Sequence, residues 1–140
     1  MPTPDVLVVE DEKPLLNLMA TALRREGLTV ATARDGAEGI ESMTREKYRV
    51  VLLDLMMPRV NGWEVIDWLK QHQDRRPRSL IVVSAADRNV FADLDPTIVN
   101  AIIVKPFDTW ELAGYVMRCC DQGTDRRHRR VVGLTPPITG

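Results

Sequence analysis

The sequence predicts an α/β protein: a doubly wound sheet of five parallel strands with five helices, the fourth of them short or irregular. Three observations carry that prediction. Short β-branched runs alternate with longer amphipathic stretches, two of the runs are apolar on both faces, and side-chain capping patterns open three of the helical stretches.

The first run is Val6–Val9, too short and too apolar for anything but a buried strand. A helix follows from Pro14 to Glu26, where Leu15, Leu16, Met19, Ala20 and Leu23 keep helical spacing. Pro14 suits a first helical turn, and Gly27 suits the left-handed residue that ends a helix. The pattern repeats as strand Thr29–Ala33, helix Gly36–Arg45, strand Val50–Leu53, helix Gly62–Gln73 and strand Leu80–Val83. Ala101–Val104 is the fifth strand. Asp35-x-x-Glu38, Asn61-x-x-Glu64 and Asp108-x-x-Glu111 each place a cap acceptor three residues before an acid that can reach back to the cap.

With 140 residues, 44% apolar and 28% charged, the chain is sized for one folded domain with a real core. No apolar run approaches the roughly 18 residues of a membrane span, and Met-Pro-Thr-Pro-Asp lacks the regions of a signal peptide. A cytoplasmic location is expected. The two cysteines, Cys119 and Cys120, are neighbours and cannot staple a long loop. The net charge of −1 conceals an asymmetry: residues 1–123 hold 15 basic and 19 acidic side chains, and residues 124–140 hold 4 and 1. The organisation expected is a folded unit over residues 1–122 and a basic, proline-containing, flexible tail over residues 123–140.

In a doubly wound sheet, ligands bind beyond the carboxyl ends of the strands. Those positions hold Glu10, Asp11 and Glu12 after the first strand, Asp54 after the third, Ser84 after the fourth and Lys105 after the fifth. Clustered carboxylates repel unless protonated or bridged, and an all-oxygen donor set suits Mg²⁺. So acidic a loop would repel a bare phosphate, which argues against a nucleotide cradle. With a metal bound, Asp54 can act as a nucleophile toward an activated phosphoryl group, Lys105 can neutralise its oxygens, and Ser84 can donate to one of them.

The motifs Val-Val-Glu10-Asp11-Glu12, Leu-Leu-Asp54-Leu-Met-Met-Pro58 with Gly62, Val-Val-Ser84-Ala85 and Lys105-Pro106-Phe107 together resemble the response-regulator receiver domains of bacterial two-component systems, in particular the single-domain, CheY-like members. The resemblance covers roughly residues 5–120. It implies a flavodoxin-like strand order 2-1-3-4-5, Asp54 as phosphoacceptor, and Mg²⁺ held by Asp11, Asp54 and the backbone carbonyl of Met56, with Glu10 acting through water. It further implies Ser84 as the switch hydroxyl, Lys105 as the lysine that contacts the phosphoryl group, and a cis Lys105–Pro106 peptide. The implied partners are a histidine kinase or phosphotransfer protein and an unknown downstream protein, with no membrane and no sequence-specific DNA contact.

The chain departs from the family pattern twice. Ile102 stands where receivers usually carry an aromatic residue, so a tyrosine-like rotamer switch cannot be the output device. Asp95-Pro96 interrupts what is normally a continuous fourth helix, because proline inside a helix costs about 3 kcal/mol; a short helix near Arg88–Leu94 followed by an irregular connection is expected.

Simpler roles suit the remaining residues. Glu12 reads as a solvated first-turn acid, and Met56 and Met57 read as packing side chains. Trp63, Trp68 and Trp110 read as buried area, although the offset of Trp110 in its helix also suits a partner surface. His72 and His128 lack companions at ligand spacing. Arg126-Arg-His-Arg-Arg130 gives at most weak, salt-sensitive electrostatic binding. The leading expectation is a phosphorylation switch that does not turn over substrate as an enzyme. The alternatives are a phosphorylation-independent adaptor on the same fold, and a phosphatase similar to haloacid-dehalogenase enzymes, which need an acid where this chain has Met56.

Overall fold

A computed structural model of the chain describes residues 3–85, 92–122 and 130–132. In chain order its elements are β1 (Val6–Val9), α1 (Lys13–Arg25), β2 (Val30–Ala33), α2 (Gly36–Arg45), β3 (Val50–Asp54), α3 (Gly62–Gln71), a 3-10 turn (Gln73–Arg75), β4 (Ser79–Ser84), β5 (Ala101–Val104), α4 (Thr109–Gln122) and β6 (Arg130–Val132). The sheet order is β2-β1-β3-β4-β5-β6, and every adjacent pair is parallel.

Alternation along the strands explains why helices cover both faces. Val6, Val8, Val50, Leu52, Ile81, Val83 and Ile103 pack with Leu16, Met19 and Leu23 of α1 and Leu112 and Val116 of α4. Their neighbours Leu7, Val9, Val51, Leu53, Leu80, Val82 and Ile102 pack on the other face with Met43 of α2 and Val65, Ile66 and Leu69 of α3. Successive side chains of a strand point to opposite faces, so a strand apolar at every position needs a helix layer on each side. Cys119 and Cys120 belong to the first of these clusters.

The three capped helix starts are present, with one change in the chemistry at α2. Asp35 Oδ1 accepts from Glu38 N at 2.9 Å, Asn61 Oδ1 from Glu64 N at 3.1 Å and Asp108 Oδ1 from Glu111 N at 2.9 Å. The return bond is not made to the cap: Glu38 accepts from Arg34 N at 3.5 Å instead. At the other end of α1, Gly27 takes φ +89°, the left-handed value its position required. α3 stops at Gln71 rather than Gln73, because His72 N–H bonds back only three residues, to Leu69 O at 3.2 Å, which tightens the chain into the 3-10 turn.

Four α-helices lie among the described residues, and most of the segment expected to form the short fourth helix, near Arg88–Leu94, lies outside them. The irregular connection after it is present. Asp95 Oδ1 accepts from Thr97 N at 2.9 Å and from Thr97 Oγ1 at 2.6 Å, while the Asp95 carbonyl accepts from Ile98 N and Val99 N. This Asx turn carries the chain past Pro96, where a helix cannot continue.

The tail reading needs correction at three residues. Arg130–Val132, assigned to a flexible extension, pair with β5 in the register Ala101↔Arg130, Ile102↔Val131, Ile103↔Val132. The outer edge of β5 offers a row of unpaired backbone groups, and a Val-Val pair suits a strand that fills it. The rest of residues 123–140, His128 included, lies outside the described residues. Among the described residues no helix is long and apolar enough to cross a membrane.

Candidate functional site

β1, β3, β4 and β5 run parallel, so their carboxyl ends open on one side of the sheet, and charge appears there abruptly after fully buried strands. Asp54 is the last residue of β3, held in register beside Val83 of β4. Glu10 continues β1, its N–H donating to Ala33 O at 3.0 Å. Lys105 follows β5, its N–H donating to Ser84 O at 3.0 Å, and the Lys105–Pro106 peptide is cis. The strands therefore fix the backbone of each charged group before any side-chain contact forms.

Lys105 reaches across the strand ends. Its Nζ donates to Glu10 Oε1 at 2.8 Å and to Asp54 Oδ2 at 3.2 Å. Asp54 Oδ1 accepts from the Met56 N–H at 3.1 Å, and Glu10 Oε2 accepts from the Glu12 N–H at 3.2 Å. Carboxylate oxygens of Glu10, Asp11 and Asp54 all lie within 4.8 Å of one another. Glu10 is 1% and Asp54 4% exposed, so two of the three acids are nearly out of water.

Three ionised carboxylates against one ammonium leave two negative charges uncompensated. The titration behaviour reflects this. Burial pushes the Glu10 carboxyl above its usual range, with the charge of Asp54 adding to the effect and the Lys105 bond opposing it. Burial, then the hydrogen bond and charge of Glu10, push Asp11 up as well. For Lys105, burial pulls downward, but the bond to Glu10 and the charges of Asp54 and Glu10 outweigh it and hold the ammonium above its ordinary value. A site that disfavours its own carboxylate charge in this way is a fit for a hard divalent cation with oxygen donors.

The pocket above these groups has a volume of about 170 Å³ and is lined by Glu10, Asp11, Glu12, Asp54, Met56, Ala85 and Lys105. Glu10, Asp11, Asp54, Met56 and Lys105 are thus brought together as expected. Ser84 is fully buried at the end of β4, and the wall on that side is Ala85, a residue with no side-chain chemistry to mark it in the sequence. Met57 is buried, whereas the Met56 side chain is 67% exposed, so only the first of the two methionines departs from the packing role expected for both. Glu12 is exposed at the N-cap of α1 and also lines the pocket.

Behind Asp54, Gly62 lets the start of α3 approach β3. Its N–H donates to Leu55 O at 3.0 Å, and a Cβ built on it would meet the Asp54 carbonyl oxygen and lie 2.6 Å from Leu55 Cα. Nearby, Arg59 is held at φ +63°, and its guanidinium lies 3.4 Å from Asp35 at the cap of α2.

Beside the pocket an apolar groove of about 330 Å³ runs along Leu15, Leu18, Pro106 and Phe107, sharing Ala85 and Lys105 with it. Leu18 is 54% and Trp110 55% exposed, the latter with the Arg25 guanidinium 5.3 Å from its ring centre. Trp110 therefore sits on the surface shared by α1 and α4, while Trp63 and Trp68 pack partly buried against the α2–α3 side.

Comparison with known proteins agrees with this geometry. The family model described as the response regulator receiver domain matches residues 6–117. The response regulator ArlR of Staphylococcus aureus is 35% identical over 107 residues, covering 76% of this chain and 48% of that protein. The chain therefore spans about half the length of the curated relatives it matches. Among solved structures, the receiver domain of the Francisella response regulator 1452 superposes with a TM-score of 0.74 at 26% identity, covering 85% of this chain and 98% of that one. The Thermotoga maritima response regulator TrrA, crystallised with Mg²⁺ and BeF, gives a TM-score of 0.69 at 28% identity, covering 81% and 96%. On its sequence, strand order and strand-end residues, this chain belongs to the response-regulator receiver domain family.

Proposed function

We propose that the chain is a phosphoacceptor switch in which Asp54 receives a phosphoryl group from a histidine kinase or phosphotransfer protein, and that it signals by protein contact without turning over substrate. The observation that carries this reading is Lys105 Nζ lying within hydrogen-bond distance of both Glu10 and Asp54 across a buried acidic cluster.

Asp11, Asp54 and the Met56 carbonyl would hold Mg²⁺, with Glu10 acting through water; when bound, the ion supplies charge neutralisation at the phosphoryl oxygens. That the related TrrA protein was crystallised with Mg²⁺ and BeF supports the same chemistry here. The Asp54 carboxylate attacks phosphorus, a new P–O bond forms, and the bond from phosphorus to the donor nitrogen breaks with its electron pair leaving on nitrogen. Lys105 exchanges part of its pairing with Asp54 for the incoming phosphoryl oxygens, which is electrostatic stabilisation already in position. Ser84 is fully buried and does not line the pocket, so donation of its hydroxyl to the phosphoryl group requires Ser84 itself to move. That movement is the switch. Because Ile102 is fully buried on the α2–α3 face, no aromatic rotamer accompanies it. The exposed Leu18 and Trp110 beside the pocket give a partner protein apolar area to cover.

The test is intact mass after incubation with Mg²⁺ and acetyl phosphate, comparing the wild type with Asp54→Ala. One base-labile phosphoryl adduct is expected, absent without Mg²⁺ and absent in the variant. No adduct, together with no binding of beryllofluoride, would overturn the switch and favour the adaptor reading.

A further inference from the structure

At the opposite end of the sheet from Asp54, a second cavity opens between the lead into β4 and the lead into β5. Its volume is about 460 Å³, within the range of small-ligand sites. Lys47, Arg76 and Arg78 line it together with Gln73, Thr97 and Asn100, and no carboxylate does among the described residues.

The walls of this cavity are tied in place. The Arg76 guanidinium donates to the Thr97 carbonyl, joining the segment after the 3-10 turn to the Asx turn that precedes β5. Asn100 is bonded to Leu80 in both directions, its N–H to the Leu80 carbonyl at 2.8 Å and its Oδ1 from the Leu80 N–H at 2.8 Å. Pro77 and Pro96 stiffen the two segments further. Asp95 stands beside the cavity; its carboxylate accepts from Thr97 N and Oγ1, lies 3.9 Å from Lys70 and also feels the charge of Arg76, so it compensates the cavity cations only in part.

Three cations line this one cavity, and its lining supplies no carboxylate among the described residues. Arg34, Arg45, Arg49, Arg59, Arg75 and Lys70 each lie within 4.0 Å of a carboxylate, whereas Lys47, Arg76 and Arg78 do not pair with one among the described residues. Three cations converging with only Asp95 nearby as a partial counter-charge repel one another, and a multiply charged anion relieves that repulsion while accepting several charge-assisted hydrogen bonds. Arginine forks match tetrahedral phosphate oxygens best. No aromatic ring lines the cavity among the described residues, so aromatic stacking gives a nucleobase no advantage there.

We infer that the cavity formed by Lys47, Arg76 and Arg78 is a binding site for a small phosphate-rich polyanion, separate from the phosphoacceptor pocket. The ligand class is inorganic or sugar-type polyphosphate, held by charge and backbone-fixed donors. This inference does not rest on phosphorylation of Asp54.

The probe is inorganic pyrophosphate, titrated into the full chain in EDTA at low salt and followed by amide NMR shifts. Saturable shifts are expected at residues 76, 78 and 97–100, with residues 55, 56 and 105 unmoved. In Lys47→Ser/Arg78→Ser, which leaves the Arg76–Thr97 tie intact, affinity should fall by about tenfold or more with an unchanged fold by circular dichroism. Citrate at matched charge and ionic strength should bind more weakly. The inference is overturned by shifts that do not saturate below about 10 mM pyrophosphate, by shifts confined to the region of Lys105, or by equal binding to the double variant. Equal binding of citrate would overturn the phosphate preference.

Discussion

Substituting Gly62 by alanine should damage the protein twice, in its stability and in its chemistry. The added Cβ would lie 2.6 Å from Leu55 Cα and against the Asp54 carbonyl oxygen, both backbone atoms with no side-chain freedom to yield. Restoring ordinary carbon contacts of about 3.5 Å requires the start of α3 and the end of β3 to separate by about 1 Å. The Gly62 N–H to Leu55 O bond, 3.0 Å at present, then lengthens beyond hydrogen-bonding range. Overpacking contributes about 1–3 kcal/mol of destabilisation and the lost bond about 1 kcal/mol more. For a chain of this size that corresponds to a fall in Tm of about 6–12 °C. A displacement of this size at the residue carrying the nucleophile should also slow acetyl phosphate labelling of Asp54 by about 10- to 100-fold. The matched control is Gly27→Ala, where φ +89° is equally demanding but nothing lies within 4 Å of the new Cβ. That variant should lose about 1 kcal/mol from backbone strain and retain wild-type labelling. Circular dichroism melts and intact-mass kinetics read both effects. A Gly62→Ala protein with wild-type Tm and wild-type labelling would show that the close approach at Asp54 is not a constraint.

Three further outcomes follow from the same structure. Gly114 lies inside α4 with only the Arg118 side chain within 4 Å of an added Cβ, so Gly114→Ala should raise stability by about 0.5–1 kcal/mol, measured by urea denaturation; a loss would refute the open space. Glu10 and Asp11 have folded-state pKa values above their ordinary ones, so the stability they contribute is full below the ordinary carboxylate range and is lost as pH rises through the raised values. Metal-free protein should therefore gain stability as pH falls from neutral toward the ordinary carboxylate range through these two groups, whereas Mg²⁺ binding, which needs the ionised forms, should weaken over the same fall in pH; parallel melts with EDTA and with Mg²⁺ check the opposite signs. Burial pushes the Cys120 thiol up to about 11, and Cys119 is buried beside it, so neither should react with a thiol reagent at about pH 8 until denaturant exposes both. Rapid labelling of the native protein would contradict that burial.

Much of this architecture was readable from the chain because the strands are apolar at every position and stop abruptly at charge. Val50–Leu53 followed by Asp54, and Ala101–Val104 followed by Lys105, announce both a doubly covered strand and the edge of a site. The convergence of Glu10, Asp11, Asp54 and Lys105 followed from that pattern, and the strand order from the resemblance to receiver domains. What stayed hidden depended on distance and direction rather than residue type. Nothing local signals that one ammonium spans two carboxylates, or that Ala85 rather than Ser84 forms the wall. β6 was missed because Arg130-Val131-Val132 sits in an arginine-rich stretch, and its strand character comes only from the open edge of β5. Thr29 falls outside β2 because its N–H and hydroxyl are taken by Asp5, at 3.1 and 3.0 Å, a pairing across 24 residues that no local pattern reveals.

The burial of Asp54 separates where a phosphoryl group would be attached from where its presence could be noticed. A carboxylate 4% exposed at the end of an interior strand offers an approaching protein almost no area, and its backbone is fixed by strands on both sides. An observer of this molecule's state must therefore read proxies, the outward-facing Glu12, Met56 and Ala85 around the rim, and its ability to tell one state from the other is bounded by how far those neighbours move.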